Sequence, residues 1–145
     1  MLTKHQRAYL AGFLDGDGSI YVRLKPNPTY RYGFQVAPYI VLFQSQKDQK
    51  KFEEVCALIK LGHLRIRKDG ILEYIISKND GLREFLKMVK PFLILKKDQA
   101  NLMLEILAEK EKVENQEDFA RLAQLIDRFR ELNYSKRRKK HILTP

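Results

Sequence analysis

Two acidic residues, Asp15 and Asp17, stand in a short glycine-rich segment near the beginning of the chain, directly after a stretch with helical spacing. Carboxylates at the carboxyl end of a helix lie at the negative end of its dipole, so they are unfavourably placed unless a cation compensates them. A divalent metal ion would supply that cation, and oxygen ligands suit it. A simple turn is the alternative interpretation. An EF-hand calcium loop is excluded, because the sixth position from Asp15 is Ile20 instead of glycine and the twelfth is Pro26 instead of glutamate.

Three small residues, Ala8, Gly12 and Gly16, recur every four positions in the same predicted helix. Residues at this spacing lie on one face of a helix. A face with almost no side chains lets a second helix approach backbone to backbone. We therefore expect this face to be a helix–helix interface.

The chain has 145 residues, and its 28 Lys and Arg against 18 Asp and Glu give a formal net charge of +10. Such an excess favours a polyanionic partner, a nucleic acid or an anionic membrane surface. The charge is zoned: residues 1–62 and 63–100 each carry +4, residues 101–134 carry −3, and residues 135–145 carry +5. A polyanion should meet the first two segments. The closing basic run is either a phosphate-binding tail or a solvated terminus.

Composition excludes several classes of protein. Hydrophobic residues at 44% and charged residues at 32% are typical of a folded soluble chain. The one cysteine, Cys56, cannot form an internal disulfide, and the absence of a His/Cys cluster argues against structural zinc. No apolar run approaches the roughly 20 residues that span a bilayer, and acidic residues come too early for a signal peptide. We expect an intracellular protein with no membrane partner.

Apolar periodicity predicts an α+β protein of one domain over residues 1–134, followed by a basic tail over 135–145. The order is α-β-β-α-β-β-α with more helix after it, and we expect the four strands to form one antiparallel sheet backed by helices. Pro38 favours a bulge or an edge position for the second strand. The predicted strands are 19–25, Phe34–Gln44, 63–67 and 72–76. The predicted helices are Lys4–Leu14, Phe52–Ile59, Leu82–Val89, Lys96–Glu111 and Glu117–Leu132.

The face of the sheet that is turned away from the helices carries cations at alternating strand positions. A strand of about seven residues spans roughly 23 Å, which matches about seven base pairs of a duplex. This face therefore suits a duplex groove. The cations are Arg23, Lys25, Arg65 and Arg67.

The segment Leu-Ala-Gly-Phe-Leu-Asp-Gly-Asp-Gly at 10–18 resembles the signature of the LAGLIDADG homing endonucleases. The match comprises Leu10, Ala11, Gly12, Asp15, Asp17 and Gly18. The order of elements, the Gln46-Lys47 pair before the second helix and the run at 90–101 are also similar to single-motif members encoded in introns of ribosomal RNA genes. The resemblance covers nearly the whole chain.

The resemblance implies a site-specific homing endonuclease that hydrolyses both strands of a long pseudo-palindromic DNA target with divalent metal. In that family the signature helices of two subunits pack together and the last acidic residue of the motif binds metal. This role falls on Asp17, with the Gly16 carbonyl as a second ligand, and Asp15 is expected to hydrogen-bond locally at the helix end. Supporting catalytic roles fall on Gln46, Lys50 and Lys96, with the neighbouring Lys47, Lys51 or Lys97 as alternatives for the two lysines. We expect Mg²⁺, with Mn²⁺ as a substitute.

One acidic motif in each chain favours a homodimer, with Ala8, Gly12 and Gly16 at its interface. The dimer would read about 15 to 20 base pairs of double-stranded DNA, with no small-molecule substrate. We expect it in a prokaryotic cytoplasm or an organelle nucleoid, at its DNA. Two alternatives stay open: an intron RNA maturase, and a sequence-specific DNA-binding protein without catalysis. The predicted DNA-contacting residues are Arg23, Lys25, Asn27, Tyr30, Gln35, Arg65, Arg67 and Glu73.

Overall fold

The computed structural model describes residues 1–133, and the predicted order of helices and strands is confirmed. Short 3₁₀ turns precede the second helix (Gln46–Asp48) and follow the third (Lys90–Phe92). The elements are α1 (Lys4–Asp17), β1 (Gly18–Pro26), β2 (Phe34–Ser45), α2 (Gln49–Ile59), β3 (His63–Ile66), β4 (Ile71–Ile76), α3 (Asn79–Val89), α4 (Lys97–Lys110) and α5 (Gln116–Leu132).

The chain forms two compact units, one of residues 1–20 and 39–97, the other of residues 21–38 and the described residues from 98 onward. The prediction of one domain over 1–134 stays a prediction. The basic tail predicted at 135–145 lies outside the described residues. In the described part of the chain, no helix is both long and apolar enough to cross a bilayer.

Helix α1 begins at a reciprocal cap and is longer than its spacing predicts. The Gln6 backbone N–H donates to the Thr3 hydroxyl at 3.1 Å, and the Thr3 N–H donates to the Gln6 side chain at 2.9 Å. The helix continues past Leu14 to Asp17, where the Gly18 N–H donates to the Leu14 carbonyl. The helix is thus three residues longer than the apolar spacing predicts, and Asp17 is its last residue, which confirms the position of Asp15 and Asp17 at the helix end.

The four strands form one antiparallel sheet in the order β1-β2-β4-β3. In the first unit, β2 pairs with β4 over Ile40–Ser45, and β3 pairs along its whole length with the other side of β4. Apolar residues of α1, α2, α3, β2 and β4 make the core of this unit. They include Leu10, Ala11, Leu14, Ile40, Leu42, Phe52, Leu72, Ile76, Leu82, Phe85 and Leu86.

Two details of the sheet differ from the expectation. Strand β2 lies between β1 and β4, so the edge position inferred from Pro38 was wrong. Pro38 is tolerated beside β4 because pairing with that strand begins only at Ile40. On the edge strand β3, Ile66 is 50% exposed although alternation places it inward.

In the second unit, α4 and α5 supply most of the buried apolar surface, with Val22 and Leu24 from β1. The Gln99 side chain, the one buried polar side chain among the described residues, donates to the Leu132 carbonyl at 3.1 Å and so satisfies an orphan carbonyl at the end of α5. The buried helical residues are Ala100, Leu102, Met103, Ile106, Leu107, Phe119, Leu122, Ala123, Ile126 and Phe129.

A buried tyrosine connects the turn between α2 and β3 to the sheet. The backbone N–H groups of Leu61 and Gly62 donate to the Tyr74 hydroxyl at 3.0 and 2.8 Å. Gly62 lies so close to β4 that a Cβ there would stand 2.2 Å from the Ile75 carbonyl oxygen. Burial raises the pKa of the Tyr74 phenol, partly offset by these hydrogen bonds. The hydroxyl therefore stays neutral and acts as an acceptor for this turn.

The cysteine in α2 is a core residue. Burial raises the pKa of Cys56 from 9.0 to about 11, outweighing a backbone hydrogen bond that lowers it. The thiol is therefore the form that packs in the core near neutral pH.

Replacing Tyr74 by Phe should lower the free energy of unfolding by about 1–3 kcal/mol, because two backbone N–H groups lose their acceptor. Urea denaturation followed by circular dichroism measures this loss. The matched control is Tyr30→Phe, since Tyr30 is 45% exposed, and it should shift stability by less than about 0.5 kcal/mol. Equal effects of the two variants would contradict the assigned role of the Tyr74 hydroxyl.

Candidate metal centre and nucleic-acid interface

The Asp15 carboxylate accepts three backbone hydrogen bonds from the chain that leads into α4. Ile94 N–H and Leu95 N–H donate to Oδ2 at 2.8 and 3.2 Å, and Lys96 N–H donates to Oδ1 at 3.0 Å. The donors follow Asp15 by 79, 80 and 81 residues, so the expectation of local bonds was wrong. Hydrogen bonds to an ionised acceptor are among the stronger ones in proteins. They fix the end of α1 against a distant segment.

Lys96 also contacts the end of α1 through its side chain. Its ammonium Nζ donates to the Asp15 backbone carbonyl at 2.7 Å. Cations are favourable at the carboxyl end of a helix, where carbonyls lack intrahelical partners. Lys96 therefore provides part of the compensating charge that the sequence assigned to a metal alone. Its bonding partner, Asp15, precedes Gly16 and Asp17 by one and two residues. The structure therefore places this predicted catalytic residue at the end of α1 that carries the predicted metal ligands.

Asp17 and Gly16 are exposed at the last turn of α1. Nothing lies within 4 Å of the position that a Gly16 Cβ would occupy, so the turn is accessible. The Asp17 carboxylate and the Gly16 carbonyl are hard oxygen donors, and Mg²⁺ commonly binds through one or two carboxylates together with water and substrate phosphates. The residues present therefore fit a divalent cation. Among the described residues, no group of three or more His, Cys, Asp and Glu side chains could hold a metal ion.

Gln46 and Lys50 line one open cleft of about 520 Å³ at the beginning of α2. The Gln46 backbone N–H donates to the Gly70 carbonyl at 2.9 Å, which joins the cleft to the turn between β3 and β4. Lys47 and Lys51 line the same cleft, so the structure does not single out Lys50 as its cation. The described contacts thus bring the predicted catalytic residues together as two groups, Lys96 with the end of α1 and Gln46 with Lys50.

The small-residue face of α1 is open in the single chain. Ala8, Gly12 and Gly16 are exposed, and no atom lies within 4 Å of a Cβ built at either glycine. The opposite face buries Leu10 and Leu14 completely. A second helix could therefore approach the exposed face without displacing any side chain of this chain.

Of the predicted DNA-contacting residues, the first unit contains Arg65, Arg67 and Glu73. Arg65 lies directly opposite Glu73 in the β3–β4 register, so both side chains point to one face of the sheet. Arg67 follows β3 and pairs with Asp69, with Nη2 and Oδ2 at 2.7 Å. Asp69 was not among the predicted residues, although an aspartate in a Lys-Asp-Gly turn beside an arginine is a recognisable signal.

The second unit contains the other five. Arg23 is exposed between the buried Val22 and Leu24, and the half-buried Lys25 follows Leu24, so both alternate with buried residues of β1 as predicted. The Arg23 guanidinium lies 5.7 Å from the centre of the Tyr21 ring.

Three of these five lie in or after the loop that follows β1. The Asn27 side-chain oxygen accepts from the Thr29 N–H and hydroxyl at 3.0 and 2.7 Å, which makes Asn27 a turn-forming residue. Tyr30 is 45% exposed, and it lines an open groove of about 320 Å³ together with the half-buried Gln35.

These features define a class of protein. An exposed carboxylate at a helix end, a lysine ammonium bound to the same helix end and strands with outward cations are together typical of a metal-dependent nuclease that acts on duplex DNA.

The family model of the LAGLIDADG endonucleases matches residues 10–106. The chain belongs to the LAGLIDADG endonuclease family. The matched region begins inside α1 and includes Asp17, Gln46, Lys50 and Lys96.

Relatives of known sequence and structure agree with this assignment. The chain is 37% identical over 146 residues to the DNA endonuclease I-CreI of Chlamydomonas reinhardtii, covering 96% of this chain and 87% of the relative. It is 32% identical over 100 residues to the DNA endonuclease I-CvuI of Chlorella vulgaris, covering 69% and 62%. A crystal structure of the homing endonuclease I-CvuI with a DNA target, uncleaved in 2 mM Mg, superimposes with a TM-score of 0.87 at 28% identity, covering 94% and 89%. The predicted family, fold and enzyme class, a metal-dependent DNA endonuclease, are thereby confirmed.

Replacing Asp15 by Ala should lower the free energy of unfolding by about 1–3 kcal/mol, since it removes the acceptor of three backbone N–H groups. Asp17→Ala is the matched control two residues along the same helix. It should leave stability unchanged or slightly raised, because it removes a negative charge from the carboxyl end of α1. Urea denaturation of both variants measures the difference. An Asp15→Ala variant as stable as Asp17→Ala would contradict the anchoring role.

Proposed function

We propose that this chain is a site-specific homing endonuclease that hydrolyses both strands of a long, pseudo-palindromic DNA target as a Mg²⁺-dependent homodimer. The observation that carries the proposal is the position of Asp17. It is exposed at the end of a helix whose outward face is bare of side chains. A pair of such helices brings two carboxylates to one place.

Two phosphodiester bonds must be broken to cut a duplex, and each chain supplies one acidic motif. A two-fold symmetric dimer supplies the two motifs through one interface, in which the same face of α1 from each subunit meets. Crossing of α1 with α1 at Ala8, Gly12 and Gly16 places the two helix ends together. Next to this face, Ile94 and Leu95 are 82% and 72% exposed, and the Asp15 carboxylate holds both. Apolar side chains so exposed beside a bare helix support association at this end of α1.

The Asp17 carboxylate and the Gly16 carbonyl would hold the metal, with water and DNA phosphates as further ligands. The chemistry that a divalent ion would supply there is a water molecule of lowered pKa and neutralisation of charge on the scissile phosphate. Oxygen ligands at a small site select Mg²⁺, and Mn²⁺ substitutes for it.

The other predicted catalytic side chains have distinct tasks. The Gln46 amide orients a water molecule, because it can both donate and accept a hydrogen bond. The ammonium groups of Lys50 and Lys96 stabilise the negative charge that grows on the phosphate during attack. The hydrogen bond from Lys96 to the Asp15 carbonyl at 2.7 Å holds that ammonium in position before DNA arrives. Positioning before the reaction is what makes such charges effective.

Recognition of the target comes from the strands. Arginines read guanine edges with two hydrogen bonds, and carboxylates accept from cytosine, which are the roles of Arg65, Arg67 and Glu73. Arg23, Lys25, Asn27, Tyr30 and Gln35 contact further base pairs or phosphates. A strand of each subunit covers about seven base pairs, so the dimer reads about 15 to 20. The protein acts wherever this DNA is, in a prokaryotic cytoplasm or an organelle.

Incubation of the protein with a plasmid that carries the intron-free flanking sequence of its own gene tests the proposal. Linear product that requires Mg²⁺ and disappears with EDTA is the expected result. Binding without cutting would instead indicate a DNA-binding protein without catalysis, and preference for the intron RNA would indicate a maturase.

Replacing Asp17 by Asn should abolish cutting, because the amide is a poor metal ligand, and leave DNA affinity unchanged or higher. Plasmid cleavage in Mg²⁺ and duplex binding in Ca²⁺ measure the two quantities. The matched control is Asp80→Asn, whose carboxylate is fully exposed at the beginning of α3, and it should cut at the wild-type rate. If Asp17→Asn also cuts at that rate, Asp17 is not the metal ligand.

Replacing Gly12 by Leu should split the dimer without unfolding the chain, since space for a side chain exists in the single chain and not between two closely packed helices. Analytical ultracentrifugation should show a monomer with unchanged circular dichroism. Gln124→Leu, which places the same side chain at an exposed position of α5, should leave the dimer intact. An undisturbed Gly12→Leu dimer would refute this interface.

A further inference from the structure

The turn between β3 and β4 is fixed by its backbone. Arg67 N–H donates to the Ile71 carbonyl at 2.9 Å, and Gly70 N–H donates to the Arg67 carbonyl at 3.1 Å. Gly70 has a φ of +84°, a left-handed conformation that glycine adopts without steric cost. The backbone of Arg67 is thus held by two hydrogen bonds at the point where β3 ends. Its position relative to β4 is set before any ligand binds.

Asp69, in the middle of this turn, has a separate partner for each carboxylate oxygen. Oδ1 accepts from Ile71 N–H at 3.1 Å, and Oδ2 accepts from Arg67 Nη2 at 2.7 Å. The first bond fixes the carboxylate to the beginning of β4, and the second fixes the guanidinium to the carboxylate. Arg67 is therefore restrained at both its backbone and its side chain.

This ion pair has little value for stability. The Arg67 and Asp69 side chains are 42% and 51% exposed, and ion pairs in such positions contribute little to folding. An arginine side chain has many rotamers, and restricting it to one rotamer on binding costs conformational entropy. That cost is smaller when the side chain is already restrained in the free protein. The measurable effect of the pair is thus the ordering of the guanidinium at the end of β3.

We propose that Asp69 is a specificity-determining residue, which orients the Arg67 guanidinium for two hydrogen bonds to a base edge in the DNA groove. A guanidinium has five N–H donors, and the bond to Asp69 uses one of them, so a fork of donors remains for a guanine. The Asp69 carboxylate also repels DNA phosphates. The guanidinium beside it therefore contacts a base edge in preference to the DNA backbone. The inference rests on the proposed function, since it requires that this face of the sheet meets DNA.

The alternative is that Asp69 only closes the turn. Asp69→Asn separates the two roles, because the amide oxygen can still accept from Ile71 N–H while the amide N–H₂ cannot accept from a guanidinium. Asp118→Asn is the matched control. Asp118 also accepts from a backbone N–H, that of Glu114 at 3.1 Å, and pairs with Arg121, but it lies in the first turn of α5, in the acidic segment of the chain.

The experiment selects, from DNA duplexes of randomised sequence, those that the protein binds, in Ca²⁺ so that binding occurs without cutting. It compares the wild-type protein with four variants: Asp69→Asn, Arg67→Ala, the double variant Asp69→Asn/Arg67→Ala, and Asp118→Asn. Sequencing of the bound duplexes gives the preference at each base pair. Wild type should enrich one pseudo-palindromic sequence. A two-hydrogen-bond arginine contact supplies roughly 5- to 150-fold discrimination at its base pair.

Arg67→Ala should abolish the preference at one base pair of each half-site. Asp69→Asn should reduce it about 3- to 10-fold at that same base pair, and the double variant should be no worse there than Arg67→Ala. Asp118→Asn should enrich the wild-type sequence with the wild-type preferences.

An Asp69→Asn profile identical to wild type, or one weakened equally at all base pairs, would overturn the inference and leave the proposed function intact. Wild-type protein that enriches no sequence would refute the proposed function and this inference together.

Discussion

The bond between Asp15 and the chain before α4 is the constraint on which the site depends. Three N–H groups of Ile94, Leu95 and Lys96 converge on one carboxylate, and the Lys96 ammonium returns to the Asp15 carbonyl. These contacts hold the last turn of α1, which ends with a glycine and an aspartate and has low intrinsic helix propensity. Because that turn is held, the backbone that carries Asp17 and the Lys96 ammonium are both fixed at this end of α1.

Of the two acidic residues of the motif, Asp15 therefore has a structural role and Asp17 has the chemical one. The Asp15 carboxylate accepts from three backbone N–H groups of the protein, whereas Asp17 is exposed at the helix end. A face without side chains along the same helix makes the end of α1 accessible to a second copy. The helix is thus buried on one side, by Leu10 and Leu14, and free to associate on the other.

Sequence periodicity predicted most of the fold, because helices and half-buried strands repeat with different periods. It placed Arg23, Lys25, Arg65 and Glu73 on exposed or half-buried strand positions correctly. It could not predict the partners of Asp15, which lie 79 to 81 residues away, since local patterns contain no information on distant contacts. It also failed where neighbours override a local rule, as for Pro38 beyond the end of the β4 pairing and for Ile66 at the sheet edge.

Native-state amide hydrogen exchange at Ile94, Leu95 and Lys96, compared between wild type and Asp15→Ala, tests the anchoring of α1 most directly. Side chains of this segment are largely exposed, so protection there must come from the Asp15 carboxylate. We predict slow exchange of all three amides in the wild-type protein and exchange at the rate of an unstructured chain in the variant, with the amides of β4 still protected. Fast exchange in wild type, or equal protection in both proteins, would contradict this account.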